Sequence, residues 1–284
     1  MSIAHNLLIS PIQDIISRAL AEDIGCGDIT SNLLIPANQM AEMAFVARED
    51  MVVCGSFIPE LVYSGVGVSV NVGEGEFVAA GTVLATANGS ARMLLAGERV
   101  ALNIMQRMCG VASLTREYVA AVAGTKAVIL DTRKTMVNLR LLDKYAVTVG
   151  GGKNHRFRLD DMVLIKDNHI ALCGGIAGAV AKARAGKDLP IIVECDTLAQ
   201  VAEAIAAAPD RILLDNMDNK TLQEAVVLAE GKIPLEASGG VSLASVRGIA
   251  ETGVDYISVG KLTHSAPAAD IGADIVFGEA KNAG

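Results

Sequence analysis

The chain reads as an α/β protein in which a parallel sheet follows an N-terminal α+β domain. Three observations predict this. After Ala127, short β-branched runs (AVILD, MVLIK, PIIVECD, RILLD, PLEASGG, DYISVG) alternate with Ala-rich helical stretches. Six runs so connected imply a parallel sheet with right-handed crossovers. Before about residue 115 the pattern differs, since GVGVSVNVGEGEFVAAGTVLATANG alternates apolar and polar residues around Gly pairs, as antiparallel strands do. Third, polar residues close every late run: Thr132-Arg133-Lys134, Lys166-Asp167-Asn168, Glu194 with Asp196, Asp215-Asn216, Ser238-Gly239-Gly240 and Gly260-Lys261. A barrel gathers all of these at one mouth, whereas an open doubly wound sheet would focus ligand at a single switch point. The barrel is the favoured reading.

Taken in order, residues 11–22 carry apolar positions at helical spacing. The turn-rich EDIGCGDIT follows, and MAEMAFVAREDMVV (40–53) reads as two strands broken at Arg-Glu-Asp. Arg92–Val122 is a long helix expected to break at Cys109-Gly110. Domains are placed at 1–115 and 116–267. In the second, Ala-rich helices begin at Thr or Asp caps and stop at Gly or Pro.

Composition narrows the function. The formal net charge is −8, yet Asp131–His169 holds eight of the 24 Lys and Arg against five Asp, a local +3. Concentrated positive charge on an acidic chain points to a pocket for a small, highly charged anion. Duplex nucleic acid would call for a broad basic face, and a chain without Trp has little for a base-stacking surface. No apolar run approaches the ~18 residues that a membrane span needs, and the N-terminus lacks a signal-peptide pattern. The five scattered Cys contain no CxxC and read as reduced core thiols, so the expected location is cytoplasmic.

Several residues then acquire chemical readings. Gly239-Gly240 and Gly260 follow the last two runs, where backbone N–H groups could cradle phosphate. As lone tight turns they would mean nothing; as a pair on adjacent late strands they point to phosphate. Glu194, Asp196 and Asp215 are either ion-pair partners of the basic cluster or a Mg²⁺ site shared with substrate phosphates. His155 beside Arg156 fits an anion-lined loop, while His169 is evenly balanced between loop structure and function. Lys166 is either a charge clamp or a Schiff-base nucleophile of the aldolase kind. No GxGxxG after a strand, P-loop or GxSxG elbow occurs.

EDIGCGDIT, GERVALN, DTRKT, LLDKYAVTVGGGKNHR, LIKDNH, VECD, LLDN, EASGG and VGKLTHS occur in this order from about residue 20 to residue 265. So ordered, the set resembles the quinolinate phosphoribosyltransferases. The resemblance implies a type II phosphoribosyltransferase: an incomplete TIM-like barrel, an N-terminal α/β domain that the tail 268–284 rejoins, and a dimer with shared sites. It implies Mg²⁺ as cofactor, with quinolinate and 5-phosphoribosyl 1-pyrophosphate as substrates. It also implies that Thr132, Arg133, Lys134, His155, Arg156 and Lys166 hold carboxylates and pyrophosphate. Arg99 would enter the neighbouring subunit's site. Glu194 and Asp215 would serve the ribose hydroxyls and Mg²⁺, through substrate and water. Ser238, Gly239, Gly240, Val259, Gly260 and Lys261 would cradle the 5′-phosphate. Two stretches depart from the family. Met136-Val137-Asn138 stands where Thr-Pro-Gly is usual, and Phe157-Arg158 where an aliphatic residue and Gly are frequent. A paralogue acting on another aromatic acid, a Schiff-base aldolase and a non-catalytic phosphate binder are the competing readings.

Overall fold

The computed structural model describes residues 3–186 and 188–276. Its contacts divide the chain into two units. The first comprises Met1–Ser113, Met136–Gly150 and Ala266–Gly284, the second Leu114–Thr135 and Gly151–Ser265.

The first unit begins with α1 (Ile3–Ile24) and α2 (Ile29–Leu34). Asp28 caps α2 by accepting the N–H of Ser31 at 2.9 Å. Strands β1 (Met40–Ala47) and β2 (Met51–Val52), helix α3 (Ile58–Val62), and strands β3 (Gly67–Val70), β4 (Phe77–Val78) and β5 (Val83–Ser90) follow. β1 and β5 are the long strands of this sheet, and the consecutive residues Met43, Ala44 and Phe45 of β1 are all buried, so over that stretch the strand is covered on both faces. β3 pairs antiparallel with β5, but the intervening β4 leaves to pair with β2, so the Gly-rich stretch is not one simple hairpin.

Helix α4 (Ala91–Ala121) runs unbroken through Cys109-Gly110, where a break was expected. Gly110 is there for a different reason. A Cβ on it would lie 1.9 Å from the carbonyl oxygen of Pro267, so only glycine lets that segment pass. The thiols of Cys54 and Cys109 are buried near each other, with the Cys54 N–H 3.3 Å from Cys109 Sγ. Burial raises both, Cys109 to about 12, so neither is a ready thiolate.

The second unit carries β6 (Val128–Leu130). Helix α5 (Arg140–Val149) groups with the first unit. Then come β7 (Val163–Ile165), α6 (Asp167–Cys173), α7 (Ile176–Gly186), β8 (Ile191–Cys195), α8 (Leu198–Ala207), β9 (Arg211–Asp215), α9 (Asn219–Ala229), β10 (Leu235–Ser238), α10 (Leu243–Glu251), β11 (Tyr256–Ser258) and α11 (Lys261–His264). Thr197 and Asp218 cap α8 and α9, as the Thr and Asp starts predict.

All ladders of this sheet are parallel, in the order β6-β11-β10-β9-β8-β7. The first strand pairs with the last, which is the closing contact of a barrel and does not occur in a doubly wound sheet. Between β6 and β7 there is no ladder among the described residues. β6 instead bridges Lys153 through Leu130. The barrel is therefore incomplete. Its strands are buried on both sides, as in β8 and β9, where the apolar residues Ile191, Ile192, Val193, Ile212, Leu213 and Leu214 are each 5% exposed or less.

The last described strand, β12 (Ile271–Val276), belongs to the first unit and pairs antiparallel with β1 along six residues. The rest of the tail, 277–284, lies outside the described residues.

Candidate active site

The C-terminal ends of the barrel strands enclose a cavity of about 530 Å³. The segment after β6 contributes Thr132, Arg133 and Lys134; the loop between α5 and β7 contributes His155 and Arg156; and β7 and its end contribute Leu164 and Lys166. β8 supplies Glu194, β9 supplies Leu213, Asp215 and Asn216, β10 supplies Glu236, Ser238, Gly239 and Gly240, and β11 Ser258. Eleven of the fifteen residues that the family resemblance assigns to substrates thus meet around one space.

The loop carrying His155 and Arg156 is held by Asp131, which is fully buried at the end of β6. Its Oδ1 accepts the N–H of His155 at 2.8 Å, and Oδ2 accepts the side-chain amide of Asn154 at 2.6 Å. Arg156 is drawn back by a bond from Nη1 to the Met162 carbonyl, 3.3 Å. Burial first, then the neighbouring charge of Arg133, depresses the basicity of Arg156. Two guanidinium groups close enough to oppose each other mark a place suited to an anion.

Across from them stand the acids. Lys166 Nζ lies 2.5 Å from Oε2 of Glu194, on the neighbouring strand. Asp215 Oδ2 accepts the side-chain amide of Asn216 at 2.7 Å, and the N–H of Asn216 donates to the Ser238 carbonyl at 2.9 Å. Asn216 adopts φ +53° to do both. The β10 turn must make room for it. A Cβ on Gly239 (φ +96°) would sit 2.2 Å from Asn216 Oδ1, so glycine is obligatory there.

Four predicted residues fall outside the cavity's lining. Val259 is buried, and its N–H is spent on the Leu130 carbonyl at 2.9 Å, in the sheet. Gly260 packs under the Lys134 stem, where a Cβ would come within 3.1 Å of Lys134 Cδ. Lys261 is exposed, and Arg99 lies in the first unit, its side chain 57% exposed. His169 accepts the Lys166 N–H at 3.0 Å and so caps α6, a structural use. Asp196 is exposed, and its N–H is bonded to Gln200.

The cavity also contains groups that motif reading passed over: Ser258, Leu164, Leu213 and, above all, Glu236. A carboxylate inside the apolar run PLEAS is itself a signal, since a buried strand has no cheap place for a charge.

The family model of quinolinate phosphoribosyl transferase, N-terminal domain, matches residues 28–109, and that of the C-terminal domain matches residues 111–274. The chain belongs to the quinolinate phosphoribosyltransferase family. It is 44% identical to the nicotinate-nucleotide pyrophosphorylase (carboxylating) of Mycobacterium leprae over 274 residues, covering 93% of this chain and 96% of that protein. It is 41% identical over 285 residues to quinolinate phosphoribosyltransferase (decarboxylating) 2a, mitochondrial, of Nicotiana tabacum, covering 92% and 81%. The crystal structure of nicotinate-nucleotide pyrophosphorylase from Ehrlichia chaffeensis superposes with a TM-score of 0.89 at 43% identity, covering 97% of this chain and 99% of that one.

In the family frame the two departures become interpretable. Asn138, at the place of the usual Gly, has φ +64°, a conformation that Asn tolerates better than other residues with a side chain. The left-handed turn survives the loss of glycine. Arg158 pairs with Asp160 at 3.0 Å on the surface, both more than 60% exposed, and takes no part in the cavity.

Proposed function

We propose that the chain transfers the phosphoribosyl group of 5-phosphoribosyl 1-pyrophosphate to quinolinate, with decarboxylation to nicotinate mononucleotide. The observation that carries this is the cavity itself, where Arg133, Lys134, Arg156 and Lys166 face Glu194 and Asp215 above a Gly-Gly turn. Quinolinate brings two carboxylates and the donor brings a phosphate and a pyrophosphate, so four cations in one space match the anionic load.

The pyridine nitrogen of quinolinate supplies the electron pair that bonds to ribose C1, while the bond from C1 to pyrophosphate breaks and its electrons leave with pyrophosphate. No general base is needed. Arg133, Arg156 and Lys166 orient the acceptor carboxylates, and Lys134 neutralises the departing pyrophosphate. The pyridinium then accepts charge from the carbon that loses CO₂, and that carbon takes up a proton.

Among the described residues no cluster of three or more His, Cys, Asp or Glu side chains could cage a metal. Two carboxylates, Glu194 and Asp215, do fit Mg²⁺ held jointly with substrate oxygens and water. Bound there, Mg²⁺ would neutralise pyrophosphate charge. Asp215, steadied by Asn216, and Glu194 would also receive the ribose hydroxyls, and the turn at Ser238–Gly240 the 5′-phosphate. The reading includes a homodimer in which Arg99 of each subunit serves the other's site, and a cytoplasmic location.

A spectrophotometric assay for nicotinate mononucleotide from quinolinate, phosphoribosyl pyrophosphate and Mg²⁺, with nicotinate in parallel, tests this directly. Product from quinolinate alone is expected. No product from quinolinate despite donor binding would overturn the choice of acceptor.

A further inference from the structure

A column of charge leads from the cavity wall through the second unit. Glu236, mid-strand in β10, has a fully buried side chain, and its Oε2 receives Nη1 of Arg211 at 2.8 Å. The Arg211 guanidinium lies 3.9 Å from the centroid of the Tyr256 ring, a cation–π contact. On the other side, Glu236 Oε1 lies 3.4 Å from Nε2 of His155, whose side chain is 7% exposed. Nδ1 of His155 accepts the backbone N–H of Arg156 at 2.7 Å. A ring nitrogen that accepts carries no proton, so the ring proton sits on Nε2 and faces Glu236.

A buried ion pair is by itself weak grounds for stability, since its replacement by well-packed apolar side chains is often neutral or better. Burial alone would push the Glu236 carboxyl upward. His155 and Arg211 outweigh it and hold the group below its ordinary range, so Glu236 remains a charged acceptor.

We infer that Glu236 is a positioning residue for the anion clamp: it fixes His155 as the Nε2–H tautomer, leaving Nδ1 to hold the Arg156 backbone and aim that guanidinium at the acceptor's carboxylates. Asp131 secures the same loop from the other side through the His155 N–H. The inference rests on the reading of the cavity as the quinolinate site.

Two double variants separate this role from mere support of the fold. Arg211→Met with Glu236→Gln and Arg211→Met with Glu236→Leu both remove the buried charges together. Only the Gln side chain can still accept from Nε2–H. ¹⁵N-histidine NMR of the wild-type chain, with the His155 signals assigned by their loss in His155→Gln, should show Nε2 protonated and Nδ1 not. The Gln double variant should keep that signature and the Leu double variant should lose it. In the Leu variant KM for quinolinate should rise roughly 10- to 100-fold, the scale on which misplaced binding groups act. KM for phosphoribosyl pyrophosphate should stay within about twofold, and the Gln variant should recover most of the loss.

A wild-type His155 protonated on Nδ1 would overturn the inference, whatever the double variants do. So would equal KM values for quinolinate in two folded double variants, or parallel rises for both substrates. Because the spectrum is read without substrate, an intact tautomer in an enzyme that makes no nicotinate mononucleotide would uphold the linkage from Glu236 to Arg156 and overturn only the choice of substrate.

Discussion

The Lys166 ammonium and the Glu194 carboxylate meet at 2.5 Å across the ends of two neighbouring barrel strands. The pair joins a residue assigned to the acceptor's carboxylates to one assigned to the ribose and Mg²⁺. On the proposed assignment, this contact couples the two binding halves of the cavity. Lys166→Met and Glu194→Gln should each lower kcat/KM by about 10²- to 10³-fold, as removal of one group that stabilises developing charge does. The double variant should lose much less than the product of the two effects, because residues in contact are not additive. Steady-state kinetics on the four proteins decide it, and a fully multiplicative loss would show the pair to be functionally independent.

The Asp215–Asn216–Gly239 arrangement predicts unequal consequences for two adjacent glycines. Gly239→Ala sets a Cβ 2.2 Å from Asn216 Oδ1 at φ +96°, whereas Gly240→Ala at φ +60° meets nothing within 4 Å. Gly240→Ala bears only the left-handed backbone strain, about 1 kcal/mol. Gly239→Ala adds a displaced Asn216, for a total of about 3 kcal/mol or more. Thermal unfolding should rank them so. KM for phosphoribosyl pyrophosphate should follow the same order, since Asn216 holds Asp215.

Acid stability should report on Glu236. Its folded pKa lies below the ordinary 4.5, because His155 and Arg211 favour the carboxylate more than burial disfavours it. On acidification the unfolded chain takes the proton first. The stabilisation is therefore complete above pH 4.5 and is lost as pH falls through the lower, folded value. Denaturant unfolding of the wild-type chain should weaken more steeply below that pH than unfolding of the Arg211→Met, Glu236→Leu double variant. Equal slopes would remove Glu236 as the cause.

The proposed sharing of sites across a dimer makes a prediction that kinetics alone can test. Arg99→Ala and Arg133→Ala should each be nearly inactive. Mixed and allowed to exchange subunits, they should regain activity, because a heterodimer carries one site with both arginines intact, about a quarter of wild-type activity at full statistical exchange. Exchange confirmed by mass spectrometry without recovered activity would sink the shared-site proposal.

How much of this was legible in the sequence depends on the kind of residue. Polar groups that end β-branched runs, such as Lys166, Asp215 and Ser238, announce themselves because a strand-end position is where a barrel puts its chemistry. Val259 came from the family resemblance alone, and its place in the sheet, with its N–H on the Leu130 carbonyl, follows from a pairing of the first strand with the last that no local pattern encodes. Glu236 lay inside an apolar run and passed as part of the strand. Only its partners, 81 residues away at His155 and 25 away at Arg211, give the carboxylate a meaning. Helix α5 shows the opposite limit. LLDKYAVTVGGGKNHR was recognised as a motif, and the grouping of Met136–Gly150 with the first unit is a long-range fact that the motif does not carry.

The Met136 loop supplies the last prediction. Asp143, on α5, is 1% exposed and receives Arg107 in a two-pronged ion pair, Nε to Oδ1 at 2.9 Å and Nη2 to Oδ2 at 3.0 Å. The same Oδ2 accepts the N–H of Met136 at 3.0 Å, and Met136 opens the turn that Asn138 completes at φ +64°. The three residues that depart from the family pattern therefore hang from a buried carboxylate, not from the local stiffness a Pro-Gly pair would give. Arg107→Ala leaves that carboxylate buried without its bidentate partner and should cost about 3–5 kcal/mol. Asp143→Asn keeps a weaker acceptor for Met136 but loses the charge, and should cost less. Introducing the family's Thr-Pro-Gly through Met136→Thr, Val137→Pro and Asn138→Gly together should then act differently in the two backgrounds. A loop stiffened by Pro and Gly depends less on its tether, so the triple substitution should return part of the activity that Asp143→Asn loses, while leaving the unfolding temperature of Arg107→Ala unchanged. Activity assays and calorimetry on the four proteins measure both. Recovery of neither activity nor order in the Asp143→Asn background would mean that the carboxylate serves α5 alone and that the loop holds itself.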